Sequence, residues 1–87
     1  SLVFFDGTSQ EQVKAVEKLV EAYGKKITPI LVNGTWLELT KKWKRQVYFD
    51  QDGYLTSRFG IKAVPAIVRQ KGKALEVAET PVEELKP

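Results

Sequence analysis

The sequence predicts an α/β fold: a single domain, residues 1–87, built on a four-stranded mixed sheet. The chain opens with an apolar run of strand formers, a capped amphipathic helix and a second apolar run, which together indicate a strand–helix–strand unit. A helical region follows, and two strand-like runs around a glycine turn close the chain as a hairpin. Because a strand–helix–strand crossover joins parallel strands and a hairpin joins antiparallel ones, the predicted sheet is mixed.

The first strand and helix have the clearest signals. Residues 2–5 form an apolar run that suits a strand buried on both faces, and a turn follows it. Thr8 with Glu11 and Ser9 with Gln12 then make two overlapping capping boxes. Apolar residues recur at helical spacing as far as the glycine that is expected to end the helix, namely Val13, Val16, Leu19, Val20, Tyr23 and then Gly24.

Shorter elements are predicted in the middle of the chain. Residues 27–32 predict the second strand, and Thr35 is placed to cap a short helix that carries Trp36 and Trp43. Residues 47–49 read as a brief extended segment outside the four main strands.

The closing hairpin follows a turn and one or two helical turns. The expected elements are a turn at 50–53, helix at 55–59 ending at Gly60, a third strand at 63–69, a hairpin turn at 70–73, a fourth strand at 74–78 with Leu75 and Val77 on one face, and a short helix from Thr80.

Composition excludes several classes of function. The chain has no Cys and no His, and Met is absent as well. Disulfides, thiolate or imidazole metal sites and Ser-His or Cys-His catalysis are therefore excluded, and we expect no cofactor and no metal.

No apolar run approaches the ~18 residues of a membrane span, so we expect no membrane insertion. A net charge of +3 is too small to indicate a nucleic-acid partner.

One phrase near the closing hairpin resembles the thioredoxin superfamily. In residues 59–66, Phe-Gly-Ile ends a helix and Val64-Pro65 precedes a strand. The resemblance implies a thioredoxin-like fold with a cis peptide bond before Pro65, in preference to a trans proline at the start of an edge strand. Redox-active members carry a Cys-x-x-Cys pair where the first strand meets its helix, and this chain has Thr8 and Ser9 there.

A second set of phrases is more specific. Residues 45–53, followed by Leu55 and the phrases at 58–61 and 64–66, resemble the C-terminal region of the TraW family, as do residues 4–7 and 30–34. This resemblance implies a periplasmic role in pilus assembly by a type-F conjugation system, a branch of type IV secretion. It also implies a TrbC-type protein as partner and no catalytic residues. The chain begins at Ser1 and not at Met, so we expect an excised domain or a processed fragment; the resemblance implies that it is the C-terminal domain of a longer protein.

Three candidate sites have simpler interpretations. We interpret Thr8 and Ser9 as helix caps and not as nucleophiles, because no strong base accompanies them. The turn at 50–53 resembles the start of a calcium loop, but Ile61 occupies the twelfth position, so Asp side chains bonded to local amides are expected. Trp36 and Trp43 lie seven positions apart beside a basic run, a spacing that favours core or partner contact over base stacking.

These observations predict a non-enzymatic module that acts through protein contacts. We expect an extended segment of the partner to bind beside Thr8, Ser9, Val64 and Pro65 by strand addition, with Trp36 or Trp43 as an anchor. The alternative is a redox-inactive thioredoxin-like chaperone or peptide-binding domain of another envelope pathway, including a degenerate enzyme that acts on another substrate.

Overall fold

A computed structural model describes all residues, 1–87. Its strands and helices alternate along the chain until the closing hairpin. They are β1 (Leu2–Asp6), α1 (Gln10–Tyr23), β2 (Thr28–Asn33), α2 (Trp36–Trp43), β3 (Tyr48–Phe49), α3 (Tyr54–Phe59), β4 (Ala66–Lys71) and β5 (Ala74–Glu79), with short 3₁₀ turns at Gly24–Lys26, Gln51–Gly53 and Val82–Glu84.

The strands form one mixed sheet in the order β3-β2-β1-β4-β5. β1 is parallel to β2 and antiparallel to β4, and β4 and β5 form the predicted antiparallel hairpin. The prediction of four strands is wrong, because β3 pairs in parallel with β2 as a fifth strand. β3 has only two residues, which are too few to show the alternation typical of a strand. It is a strand because it pairs with the edge of β2 that β1 leaves free.

One face of the sheet holds the larger core. α1 and α2 cover it, and Phe5 of β1 stacks on Trp43 of α2 with ring centroids 5.8 Å apart. α1 ends as predicted at Gly24, which has a φ of 56° and donates its N–H to the carbonyl of Val20. The buried residues of this core are Val3, Phe5, Ala15, Val16, Leu19, Ile27, Leu31, Leu39, Val47 and Leu85.

The other face of the sheet is covered less completely. α3 packs over its centre, and Phe59 meets Phe4 edge-on with ring centroids 6.2 Å apart. Phe4, Ile30, Ala66 and Val68 are buried there. Because one short helix covers five strands, the outer part of this face, at β5, stays open to solvent.

The closing hairpin differs from the prediction in its boundaries. β4 begins at Ala66, so residues 63–65 approach the strand as a loop and do not form part of it. Leu75 and Val77 share a face, as predicted, but both are exposed. The predicted final helix is a single 3₁₀ turn, and the Thr80 hydroxyl donates to the carbonyl of Ala78 without capping the turn.

None of the helices has both the length and the apolar character needed to cross a membrane.

Candidate partner-binding site

The first turn of α1 forms one side of the candidate site. Ser9 is the N-cap, and its hydroxyl accepts the N–H of Gln12 at 3.3 Å. Thr8 makes no cap; its N–H and hydroxyl both donate to the same carboxylate oxygen of Asp6, at 2.8 and 2.7 Å. Of the two capping boxes in the sequence, only the one at Ser9 supplies a cap. Both hydroxyls are engaged in local hydrogen bonds at the start of the helix.

The loop before β4 forms the opposite side. The Val64–Pro65 peptide bond is cis, as the sequence predicted. Pro65 is buried, and its carbonyl accepts the N–H of Thr80 at 2.9 Å. The N–H of Val64 donates to no atom of the chain. The loop therefore presents one unused backbone donor beside a fixed proline.

Glu79, at the end of β5, binds the backbone of the same loop through its side chain. One of its carboxylate oxygens accepts the N–H groups of Lys62 and Ala63, at 2.7 and 3.1 Å. Hydrogen bonds from backbone N–H to a carboxylate are among the stronger ones in proteins. The sequence does not predict this role, because the contact joins residues more than fifteen positions apart that no local motif links.

Gln12 joins the two sides of the site. Its side-chain carbonyl accepts the N–H of Asp6 at 2.8 Å, and its amide donates to the carbonyl of Val64 at 3.4 Å. The sequence places Gln12 only in a capping box with Ser9. No local signal predicts a contact with a loop 52 positions away.

Two shallow hollows flank the start of α1. The first, of about 530 Å³, lies at the carboxyl ends of β1 and β2, and its charged side chains are Lys14, Glu38 and Lys42. The second, of about 390 Å³, lies beside the cis-proline loop. Its charged side chains are Glu79 and Glu83. A segment that crossed the start of α1 would therefore pass from a mainly basic surface to an acidic one.

The two tryptophans of α2 have different environments. Trp43 packs on the core, and its indole N–H donates to Glu17 at 2.9 Å. Trp36 is 46% exposed at the first residue of the helix. It follows Thr35, which lines the basic hollow and does not make the capping hydrogen bond that the sequence predicted. Of the two, Trp36 is the one whose ring is available to a partner.

The turn at 50–53 has a structural role. Asp50 is 3% exposed, and its two carboxylate oxygens accept the N–H groups of Leu55 and Thr56, at 2.7 and 2.9 Å. This arrangement confirms the interpretation of the turn as one held by hydrogen bonds from local amides. It also fixes the start of α3.

No group of three or more His, Cys, Asp or Glu side chains is placed to hold a metal ion.

The fold and the site describe a small α/β domain whose candidate binding groups are backbone amides, hydroxyls and one exposed indole. Its sequence is similar to that of Protein TraW from Escherichia coli (strain K12), with 39% identity over 75 residues. The matched region is 78% of this chain and 32% of that protein, so the chain spans about a third of the relative's length. No protein-family model matches the chain, and no solved structure matches it. The similarity indicates a TraW-like relationship.

Proposed function

We propose that this chain is a TraW-like domain with a thioredoxin-like fold that acts in conjugative plasmid transfer. In this proposal it is a non-catalytic module of a type-F system, a form of type IV secretion, and contributes to pilus assembly in the periplasm through contacts with other proteins. The observation that carries the proposal is the 39% identity to Protein TraW across 78% of the chain.

The order of the strands supports the fold assignment. Without the short β3, the sheet order is β2-β1-β4-β5, with β1 and β2 parallel and the β4–β5 hairpin antiparallel. A strand–helix–strand unit followed by an antiparallel hairpin is the arrangement expected of a thioredoxin-like domain. The cis bond before Pro65 lies where the superfamily phrase puts it, immediately before the hairpin.

The chemistry of the site favours contact over catalysis. The hydroxyls of Thr8 and Ser9 are already used in hydrogen bonds at the start of α1. The chain contains neither Cys nor His, which removes the usual activated nucleophiles and the usual general base. Backbone groups need no activation to bind an extended segment, and the free N–H of Val64 is such a group.

We propose that a TrbC-type protein binds across the start of α1. A backbone carbonyl of an extended segment of this partner would accept the N–H of Val64. The same segment would lie over Thr8 and Ser9 and reach the exposed ring of Trp36. Aromatic residues are enriched among the side chains that dominate binding energy, which makes Trp36 the natural anchor.

Co-purification tests this function. The tagged chain is incubated with an envelope extract from cells that carry the corresponding transfer system, and bound proteins are identified by mass spectrometry. We expect the TrbC-type protein to be recovered. Recovery of diverse unfolded chains in its place would favour the alternative of a redox-inactive chaperone, and recovery of neither would contradict both.

Two variants show whether the site is responsible. Thr8→Arg places a long charged side chain over the start of α1, at an exposed position, and should lower partner affinity by about tenfold or more. Tyr23→Ala is the matched control, because Tyr23 is 44% exposed at the opposite end of the same helix. Equal affinities for the two variants would place the binding surface elsewhere.

A further inference from the structure

The β5 edge of the sheet is unprotected. β5 pairs with β4 through six successive residue pairs without a bulge, and its outer side pairs with nothing. At the opposite edge β3 has only two residues. Natural edge strands are usually short, bulged, interrupted by Pro, or charged, most often by Lys, because a flat free edge pairs with other chains. Residues 74–79, Ala-Leu-Glu-Val-Ala-Glu, contain no Pro and no Lys, and their charged residues are Glu76 and Glu79.

The pairing register shows which backbone groups are free. The antiparallel ladder continues beyond Ala66 and Glu79, where the N–H of Thr80 donates to the carbonyl of Pro65 at 2.9 Å. In an antiparallel pair, residues alternate between those bonded to the neighbouring strand and those that point away from it. The backbone N–H of Thr80 points towards β4, and so do the backbone groups of every second residue before it. The N–H and C=O groups of the residues between them, Leu75, Val77 and Glu79, therefore point away from β4.

The side chains on this strand also favour further pairing. Leu75 and Val77 lie on one face of the sheet and are 57% and 37% exposed. Val77 is opposite Val68, which is buried at the border of the smaller core. An added strand that placed an apolar residue beside Val77 would therefore extend the apolar surface that Val68 and Val77 begin.

We propose that β5 pairs antiparallel with β5 of a second copy of this chain, about a two-fold axis at Val77. In this register Val77 faces Val77 of the second copy, and each Leu75 faces a Glu79. These are the positions whose backbone groups point outward, so three hydrogen-bonded pairs give about six backbone hydrogen bonds. The result is one continuous sheet through both copies.

Charge complementarity favours a second copy in this orientation. The hairpin end carries the exposed Lys73 and, at the end of β4, Lys71, which lies 3.8 Å from Glu76 of the same copy. The other end carries Glu83 and Glu79, and the Glu79 carboxylate also binds the loop before β4. Antiparallel pairing places the basic end of each copy beside the acidic end of the other. Parallel pairing would place like charges together, which is unfavourable.

The contact area sets the strength of this dimer. Two paired six-residue strands with four large apolar side chains bury far less than the ~1,600 Å² of a standard interface. The dimer is therefore weak and reversible, and its population rises with protein concentration. The pairing does not contact Thr8, Ser9 or Val64, but it shares Glu79 with the candidate site: the dimer uses the backbone of Glu79, whereas its carboxylate binds the loop before β4. Dimerisation is measured without the partner, so the failure of this inference and the failure of the proposed function are distinguishable.

Hydrogen exchange measured by NMR at several protein concentrations tests the proposal. The amides of Leu75, Val77 and Glu79 have no acceptor in the monomer, so they should exchange rapidly in dilute protein and become protected as concentration rises. Sedimentation of the same samples should show a monomer–dimer equilibrium. A monomer at millimolar concentration with unchanged exchange at these three amides would overturn the proposal.

Variants of Val77 locate the contact. Val77→Pro removes an outward N–H without removing a β4–β5 hydrogen bond, and proline is tolerated at such edge positions. It should lower the dimerisation constant by about tenfold or more. If it fails to fold, Val77→Lys places two like charges at the axis and should have the same effect. Trp36→Ala is the control for another exposed apolar surface. Dimerisation lost with Trp36→Ala but kept with the Val77 variants would contradict the proposal.

Discussion

Asp50→Ala should be among the most destabilising single substitutions in the chain. The buried Asp50 carboxylate holds the first turn of α3 by accepting the N–H groups of Leu55 and Thr56. α3 in turn places Phe59 on Phe4, where it covers the smaller core. Removing the carboxylate leaves two backbone donors without an acceptor and frees the helix that closes this face of the sheet.

The magnitude follows from the two lost bonds. Hydrogen bonds to a charged group contribute about 1.5–3 kcal/mol each, and the loss of a helix cap costs about 0.5–2 kcal/mol. Because these contributions overlap and the freed amides reach water in part, we expect a loss of about 3 kcal/mol in the free energy of unfolding. For a domain of this size that corresponds to a fall in melting temperature of roughly 12–24 °C.

Thermal and urea unfolding followed by circular dichroism measure this loss. Asp52→Asn is the matched control, because Asp52 is exposed in the same turn with a φ of 59°, a conformation that Asn tolerates well. The control should change stability by no more than about 0.5 kcal/mol. A change of less than about 1 kcal/mol for Asp50→Ala would show that the carboxylate does not hold α3 as described.

Three further substitutions test the site and the core. Gln12→Ala should cost about 1–2 kcal/mol and speed amide exchange at Asp6, whereas unchanged exchange would show that the bridge is not formed. Gly34→Ala should lower stability by at least about 1–2 kcal/mol in urea unfolding, because Gly34 has a φ of 99° and an added Cβ would crowd the β1–α1 loop; wild-type stability would contradict this packing. Trp43→Phe removes the indole N–H that donates to Glu17 and part of a ring packed on the core, so it should cost at least about 0.5–1.5 kcal/mol in urea unfolding; wild-type stability would contradict this contact.

Much of the fold was predictable because its signals are local. The helix over Gln10–Tyr23 has a cap, an apolar stripe and a terminal glycine within one continuous segment. The hairpin has strand formers on both sides of Gly72, which has the positive φ that such a turn uses. The cis bond before Pro65 followed from a phrase typical of one superfamily.

The missed features depend on contacts between distant parts of the chain. β3 is a strand only because β2 offers it an edge, and Gln12 and Glu79 act on loops far from them in sequence. The two tryptophans share a helical spacing, yet α2 packs so that Trp43 is held in the core and Trp36 is exposed. Local periodicity identifies such residues as apolar but does not show which of them a neighbouring element covers.

The most direct test of the proposed function is chemical-shift mapping of the isotopically labelled chain with the TrbC-type protein from the same transfer system. We expect saturable shifts at Thr8, Ser9 and Val64, with the indole N–H signal of Trp36 moving and that of Trp43 unchanged. Shifts confined to β3 and β5, or no binding at all, would contradict it.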